Sequence, residues 1–268
     1  MVNKQAAGNH CIYRAVLIVL HYPEAMIQTL KKIFTKTAPL NEKGSAEAYD
    51  IWAENYDVQP GNLMLDLDAI IFPELLDSIH IANKQVADIG CGTGRHWAGI
   101  LHKKPQCLTG FDVSPGMLNR LKHKFPQAHT CCITDNLFLA VPDGMFDVIV
   151  STLTVAHIEN IKEAFHAWNR MLKWNADIII TDFHPDALAL GGKRTFEHNN
   201  ELIAVENFVH QVDDIESVLG AYGFKVVKRL ERVVDEQVKY YYEAKNAMHV
   251  YHKFKNCAII YGLHLRRG

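Results

Sequence analysis

Three glycines, Gly90, Gly92 and Gly94, stand at alternate positions in VADIGCGTGR (86–95), directly after a short apolar run. A glycine turn at a strand end lets a ligand approach the backbone, because no Cβ stands in the way. Asp88 sits two residues before Gly90, and Asp112 closes the next apolar run in LTGFDVS. These residues separate two classes of nucleotide-like cofactor. A dinucleotide turn reads G-x-G-x-x-G, and its third glycine position is occupied here by Arg95. The Asp88 carboxylate would repel a pyrophosphate, whereas it suits a cofactor with a positively charged amine or sulfonium. Asp112 offers two acceptor oxygens to a pair of ribose hydroxyls, an arrangement that dinucleotide sites also use. Taken together, the three features favour S-adenosylmethionine (SAM).

Two histidines have the chemistry of a general base. His157 lies in TVAHIEN after one apolar run, and His184 in TDFHPDA after the next, with Pro185 fixing the chain beside it and Asp182 and Asp186 near in sequence. The chain has 15 histidines, so proximity to a site is not by itself a role.

The elements that position these residues follow from hydrophobic periodicity. Strand-like runs occur at 85–89, 107–112, 129–133, 146–151 and 176–183, with helical patterns between them at about 94–104, 114–124 and 161–172. Ser114 caps the second of these helices, Pro115 suits its first turn, and Met117, Leu118, Leu121 and Phe125 form its buried stripe. Short apolar strands alternating with helices predict an α/β fold with a parallel sheet covered on both faces. After a helix near 213–222, the runs 223–234 and 255–267 predict an antiparallel strand pair. Asp147, at the amino end of its strand, is given a structural role, and Asp143–Gly144 a plain turn.

Composition narrows the function. With 268 residues and 49% hydrophobic content the chain has material for one large core. A formal net charge of -2 argues against nucleic-acid backbone binding. The six cysteines form no CxxC pair; they read as buried reduced thiols, with Cys107, Cys131 and Cys257 inside apolar runs, which points to the cytoplasm. The N-terminal CIYRAVLIVLHYP is interrupted by Arg14 and is shorter than a membrane span, so no membrane association is expected. A helix over 24–34 and a polar linker over 35–45 set an N-terminal extension, residues 1–45, apart from a domain over 46–268.

VADIGCGTG, GFDVSPGMLNRLK and ITDNLFLAVPDGMFDVIVSTLTVAHI together resemble the motifs of the class I SAM-dependent methyltransferases, across about residues 46–265. The resemblance implies a Rossmann-like, doubly wound, mostly parallel seven-stranded sheet with an antiparallel C-terminal strand pair and added N-terminal helices. It places Asp88, Gly90, Cys91 and Gly92 along the methionine part of SAM and Asp112 at the ribose. Val113 and Met117 flank the adenine, with Asp135 and Asn136 near its amino group. AYDIWAENYD (48–57) is similar to the helix that closes over the cofactor, so Tyr49, Trp52 and Tyr56 are candidates to face it. Where the family often has Gly-Gly before its fifth strand this chain has LKWNADIII, and Asn175 can supply the left-handed turn.

The acceptor is expected to be a small molecule, partly apolar or aromatic, methylated on oxygen; transfer to carbon or nitrogen and a non-catalytic SAM-binding role are the alternatives. The segment 184–212 is too long for an ordinary connection and is assigned to substrate binding, with Phe183, Phe196, Phe208 and His210 as a possible aromatic pocket and KYYYEAKNAMHVYH as a second wall or a solvated helix. No [DNS]PP[YFW] segment follows the fourth strand, as a nucleic-acid amino-methyltransferase would need. No metal site is expected, since only Asp135 and Asp182 could contribute carboxylates to one.

Overall fold

The computed structural model describes residues 41–268. The expected helix over 24–34, the run CIYRAVLIVLHYP and the first part of the polar linker lie outside them. In chain order come β1 (Asn41–Lys43), α1 (Ser45–Trp52), α2 (Leu63–Leu76), β2 (Gln85–Ile89), α3 (Trp97–His102), β3 (Cys107–Asp112), α4 (Pro115–Lys124), β4 (His129–Cys132) and β5 (Phe146–Thr152). They are followed by α5 (Ile161–Met171), β6 (Leu172–Phe183), α6 (Pro185–Ala189), β7 (Thr195–His198), β8 (Glu201–Val205), α7 (Val212–Gly220), β9 (Phe224–Val233), α8 (Lys239–Ala244), α9 (Met248–Phe254) and β10 (Ala258–Arg267).

Seven strands form one sheet in the order β4-β3-β2-β5-β6-β10-β9. The first five are parallel, and β10 runs antiparallel between β6 and β9. The chain winds from β2 outward through β3 and β4, then returns to β5 and winds the other way. The order therefore reverses between β2 and β5, and a crevice opens beyond their carboxyl ends. In β2, Val86 enters the core on one face while Ala87 and Ile89 enter the core on the other. Burial on both faces is why these strands read as unbroken apolar runs.

Local chemistry sets the boundaries. Ser114 caps α4 by accepting the Met117 N–H at 3.1 Å, and Asn160 caps α5 by accepting the Glu163 N–H at 3.2 Å. Helix α3 starts at Trp97, three residues later than Gly94, because the glycine turn ends with Gly94 at φ +74. Asn175 does adopt a left-handed conformation, φ +61, but within β6, beside a register shift between Phe146 and Val148. Asp147 accepts the Gln85 N–H at 2.8 Å and Lys173 Nζ at 2.9 Å, a structural tie at the amino end of the sheet.

Three expectations need correction. Residues 41–45 are not linker: β1 pairs in parallel with β8, and Ser45 opens α1. The cysteines are not uniformly buried: among the described ones only Cys91 is, whereas Cys131 and Cys132 are exposed because β4 is an edge strand. The third concerns 184–212, which contains a β-hairpin, β7–β8, whose turn residues Asn199 and Asn200 have φ of +52 and +62. This hairpin and β1 make a second, three-stranded sheet that packs Phe196, Ile203 and Val205 against Ala48, Trp52 and Tyr56.

Candidate functional site

The crevice at the order reversal holds a narrow cavity of about 90 Å³ lined by Gly90, Gly92, Asp112, Val113, Met117, Asn136, Thr152–Thr154, His157, Tyr49 and Tyr56 among others. Gly90 has φ +72, and a Cβ there would overlap the Thr154 side chain. Gly92 has φ +52 with open space where its Cβ would be, so the turn leaves room for a ligand against its backbone. Asp112, at the end of β3, accepts the Gly92 N–H at 2.7 Å and the Ser114 N–H at 2.9 Å, one on each oxygen. Each oxygen keeps a second acceptor site. Burial pushes this carboxyl above its ordinary range, so a pair of donors has much to gain there.

A smaller polar recess adjoins the cavity through Tyr56, Gly90, Gly92 and Thr152 and is lined also by Asp88, Cys91, Thr93, Arg95 and His96. Asp88 accepts the Trp97 indole N–H at 2.8 Å, and burial pushes its carboxyl up to about 7 despite that bond. A cationic amine in the recess would return the charge that burial withholds. Arg95, which stands where a dinucleotide turn has glycine, reaches back to the fully buried Asp68 of α2. His96 also donates to Asp68, at 2.6 Å, and Thr181 donates from β6. Burial lowers the His96 pKa, so the ring donates as a neutral group. This cluster anchors the carboxyl side of the glycine turn to α2 and β6.

Helix α1 lies beside the cavity. Its Tyr49 hydroxyl is 2.9 Å from His157 Nε2, and His157 Nδ1 is 2.7 Å from the Glu206 carbonyl. The carbonyl can only accept, so Nδ1 carries the proton and Nε2 accepts from Tyr49. Burial, and then the charge of Arg194, lower the His157 pKa to about 4. The ring is therefore neutral with both nitrogens engaged. Asp182, at the end of β6, accepts the Ala156 N–H at 2.8 Å and the Phe183 N–H at 2.7 Å, which fixes the turn that carries His157.

Of the predicted cofactor residues, the structure brings Gly90, Gly92, Asp112, Val113, Met117, Asn136 and Tyr56 into the cavity wall and Asp88 and Cys91 into the recess. Trp52 turns away, stacked on Phe196 with ring centroids 4.4 Å apart. Asp135 is exposed and accepts the Leu137 N–H at 2.9 Å, so it closes its own turn instead of lining the cavity. His184 lines neither cavity nor recess. It is the N-cap of α6, accepting the Asp186 N–H, and its Nε2 is 3.7 Å from Glu231. The expected aromatic pocket is dispersed as well. Phe208 donates its backbone N–H to Ala156, His210 bonds the Ile158 carbonyl, and only Phe183 lines a second cavity. That second cavity is walled by Tyr241, Tyr242 and Val250, as the C-terminal aromatic run predicts in one of its two readings. The residue that sequence analysis missed is Arg194, buried between the two cavities; beside Lys193 it carries no pattern that marks it as internal.

Known proteins share this fold. A family model described as a methyltransferase domain matches residues 87–180. A malonyl-[acyl-carrier protein] O-methyltransferase of Halorhodospira halophila is 25% identical over 144 residues, covering 53% of this chain and 48% of that protein. A second enzyme of that name, from Ilyobacter polytropus, is 27% identical over 167 residues, covering 59% and 64%. This chain thus spans about half to two thirds of these two relatives. Among solved structures, an S-adenosylmethionine-dependent methyltransferase from Mesorhizobium loti superposes with a TM-score of 0.55 at 16% identity, over 73% of this chain and 97% of that one. The [4+2]-cyclase SpnF superposes with a TM-score of 0.62 at 15% identity, over 86% and 99%.

Proposed function

We infer that this chain, a member of the class I SAM-dependent methyltransferases, moves a methyl group from SAM to an oxygen of a small acceptor. The observation that carries this is the gathering of Gly90, Gly92, Asp112, Val113, Met117 and Asn136 around one cavity at the order reversal, with Asp88 in the adjoining recess. Bound SAM supplies an activated methyl group on a sulfonium. Asp112 accepts from the ribose, Val113 and Met117 flank the adenine beside Asn136, and Asp88 holds the cationic end of the methionine portion. A pyrophosphate would instead meet the buried Asp88 carboxylate, which is why a dinucleotide is the poorer fit. Oxygen as the accepting atom is favoured by the two relatives named as O-methyltransferases.

Tyr49 and Tyr56 face the cavity from the N-terminal side and exclude water from it, and placement of the reactants supplies several kcal/mol of the barrier reduction. His157 positions Tyr49 and does not collect the acceptor's proton. A fold does not by itself fix a reaction, as the likeness to a cyclase illustrates. The test is calorimetric titration with SAM, S-adenosylhomocysteine and NAD, followed by assay of methyl transfer. Binding of the first two is expected, with Asp112→Ala weakening it by about 1.5–3 kcal/mol, the range for hydrogen bonds to a charged group. Binding of NAD alone would overturn the assignment, and SAM binding without methyl transfer to any acceptor would favour the non-catalytic alternative. Among the described residues no helix is long and apolar enough to cross a membrane, and we place the enzyme in the cytoplasm.

A further inference from the structure

Arg194 precedes β7 and is 6% exposed, with its guanidinium 5.5–5.9 Å from the ring centres of Tyr49, Trp52 and Tyr56. It donates to the Tyr56 hydroxyl at 2.9 Å and, at 3.4 Å, to the Leu153 carbonyl. Both acceptors are neutral, and no carboxylate among the described residues forms an ion pair with it. Against burial, Tyr49 and Tyr56 and then Asp182 and Asp68 favour its charge, but neither carboxylate touches it: the Asp182 oxygens are committed to two backbone N–H groups and those of Asp68 to Arg95, His96 and Thr181. A buried guanidinium with five donors and no carboxylate in contact is costly, because neither water nor an anion replaces its hydration.

Its surroundings say where the anion would come from. Arg194 forms part of the wall of the second cavity, about 660 Å³, while Tyr49, Tyr56 and Leu153, which it touches, line the first. The second cavity has apolar surfaces from Phe183, Ala187, Phe254 and Ile259, and Lys245, His249 and Lys253 also line it. No aspartate or glutamate does. The cavity thus matches a molecule with an apolar body and an anionic end.

We propose that the second cavity binds the methyl acceptor as a carboxylate on an apolar body, that Arg194 pairs with that carboxylate, and that one of its oxygens receives the methyl group. The proposal rests on the methyltransferase assignment above. It needs no base from the two histidines that the sequence offers: His157 has both nitrogens engaged, His184 is elsewhere, and a carboxylate is already ionised at neutral pH. In the reaction a carboxylate lone pair forms the O–CH3 bond as the S–CH3 bond breaks, its electron pair remaining on sulfur. Anion and sulfonium become a neutral methyl ester and a neutral thioether, and no proton moves. The ester no longer pairs with Arg194, which favours its release.

The probes are butanoate, octanoate and dodecanoate with their primary amides, titrated into the full chain loaded with S-adenosylhomocysteine, and then incubated with methyl-labelled SAM. At least one carboxylate should bind tenfold or more tightly than its amide, and the transferred label should return as methanol in mild alkali, which cleaves esters but not ethers or N-methyl groups. Arg194→Gln should abolish the acid-over-amide preference. The wild-type comparison of acid with amide needs no variant to fold. Equal binding of acid and amide, an alkali-stable label, or an Arg194→Gln variant that keeps the acid-over-amide preference would each overturn the proposal. Failure of wild-type protein to bind S-adenosylhomocysteine would overturn the methyltransferase assignment beneath it.

Discussion

The Tyr49 hydroxyl stands 2.9 Å from Nε2 of His157, and this bond ties α1 to the turn after β5, across the mouth of the candidate SAM cavity. The two residues are 108 positions apart in sequence, so the contact closes a long loop of chain around the site.

If the contact is a latch, Tyr49→Phe and His157→Ala should each weaken S-adenosylhomocysteine binding by about 1 kcal/mol, the usual value of one hydrogen bond. The double variant should cost little more than either single one, because both remove the same bond. Additive losses in calorimetry would show that the pair does not act as a unit. His157 also sets an acid limit. Its folded pKa, about 4, lies below the unfolded value near 6.5, so the unfolded chain takes up a proton first as pH falls. Stability from this group is full above about pH 6.5 and declines down to about pH 4, by on the order of 2 kcal/mol after allowing for partial exposure. Urea midpoints from pH 7 to pH 4.5 should fall less in His157→Ala than in the wild type.

Asp88 predicts proton linkage in cofactor binding. Its carboxyl is pushed up to about 7 by burial, so near neutrality much of the free protein holds it protonated. A cationic amine in the recess selects the ionised form, and binding must then release the proton. Affinity for S-adenosylhomocysteine should be flat above about pH 7.5 and fall towards tenfold per unit well below pH 7. Calorimetry in two buffers of unlike ionisation enthalpy reads the released proton directly. Affinity that is unchanged from pH 5.5 to 8 would remove Asp88 from this role, whereas Asp88→Asn should be weak and nearly pH-independent.

The parallel core was legible because its physics is local. Val86–Ile89 and Val148–Val150 are buried on both faces and stand out as apolar runs, and the glycine turn must occupy a strand end. Helix α2 was not legible: LMLDLDAIIFPELL is apolar nearly all round, carries Pro73 inside, and buries Asp68, so it lacks an amphipathic period. Hairpin β7–β8 has only four- and five-residue strands, and its Asn199–Asn200 turn can equally be read as loop. The site divided along the same line. Asp112 and Gly92 sit at fixed offsets from their strands, whereas Arg194 owes its burial to Tyr49, Trp52 and Tyr56, which are distant in sequence. Trp52 and Tyr56 lie on one segment, yet only tertiary packing decided that Tyr56 faces the cavity and Trp52 faces Phe196.

Asp68 is the residue through which α2 should act on the site. Burial alone would raise its carboxyl, but the His96 bond, the charge of Arg95 and the Thr181 hydroxyl outweigh burial and hold it well below the ordinary range. Its stabilising contribution is therefore complete above about pH 4 and is lost only as pH falls further, through its folded pKa. Asp68→Asn keeps the shape and removes the charge, leaving Arg95 without its partner and Thr181 with a weaker one. The expected cost is on the order of 3 kcal/mol, the low end for breaking a buried pair, since Arg95 keeps some access to water. Because Arg95 and His96 directly follow the glycine turn, the variant should also bind S-adenosylhomocysteine more weakly at urea concentrations where it remains folded. An unchanged urea midpoint would mean that the cluster carries no net stability, and unchanged affinity in a destabilised variant would mean that the turn holds its shape without it.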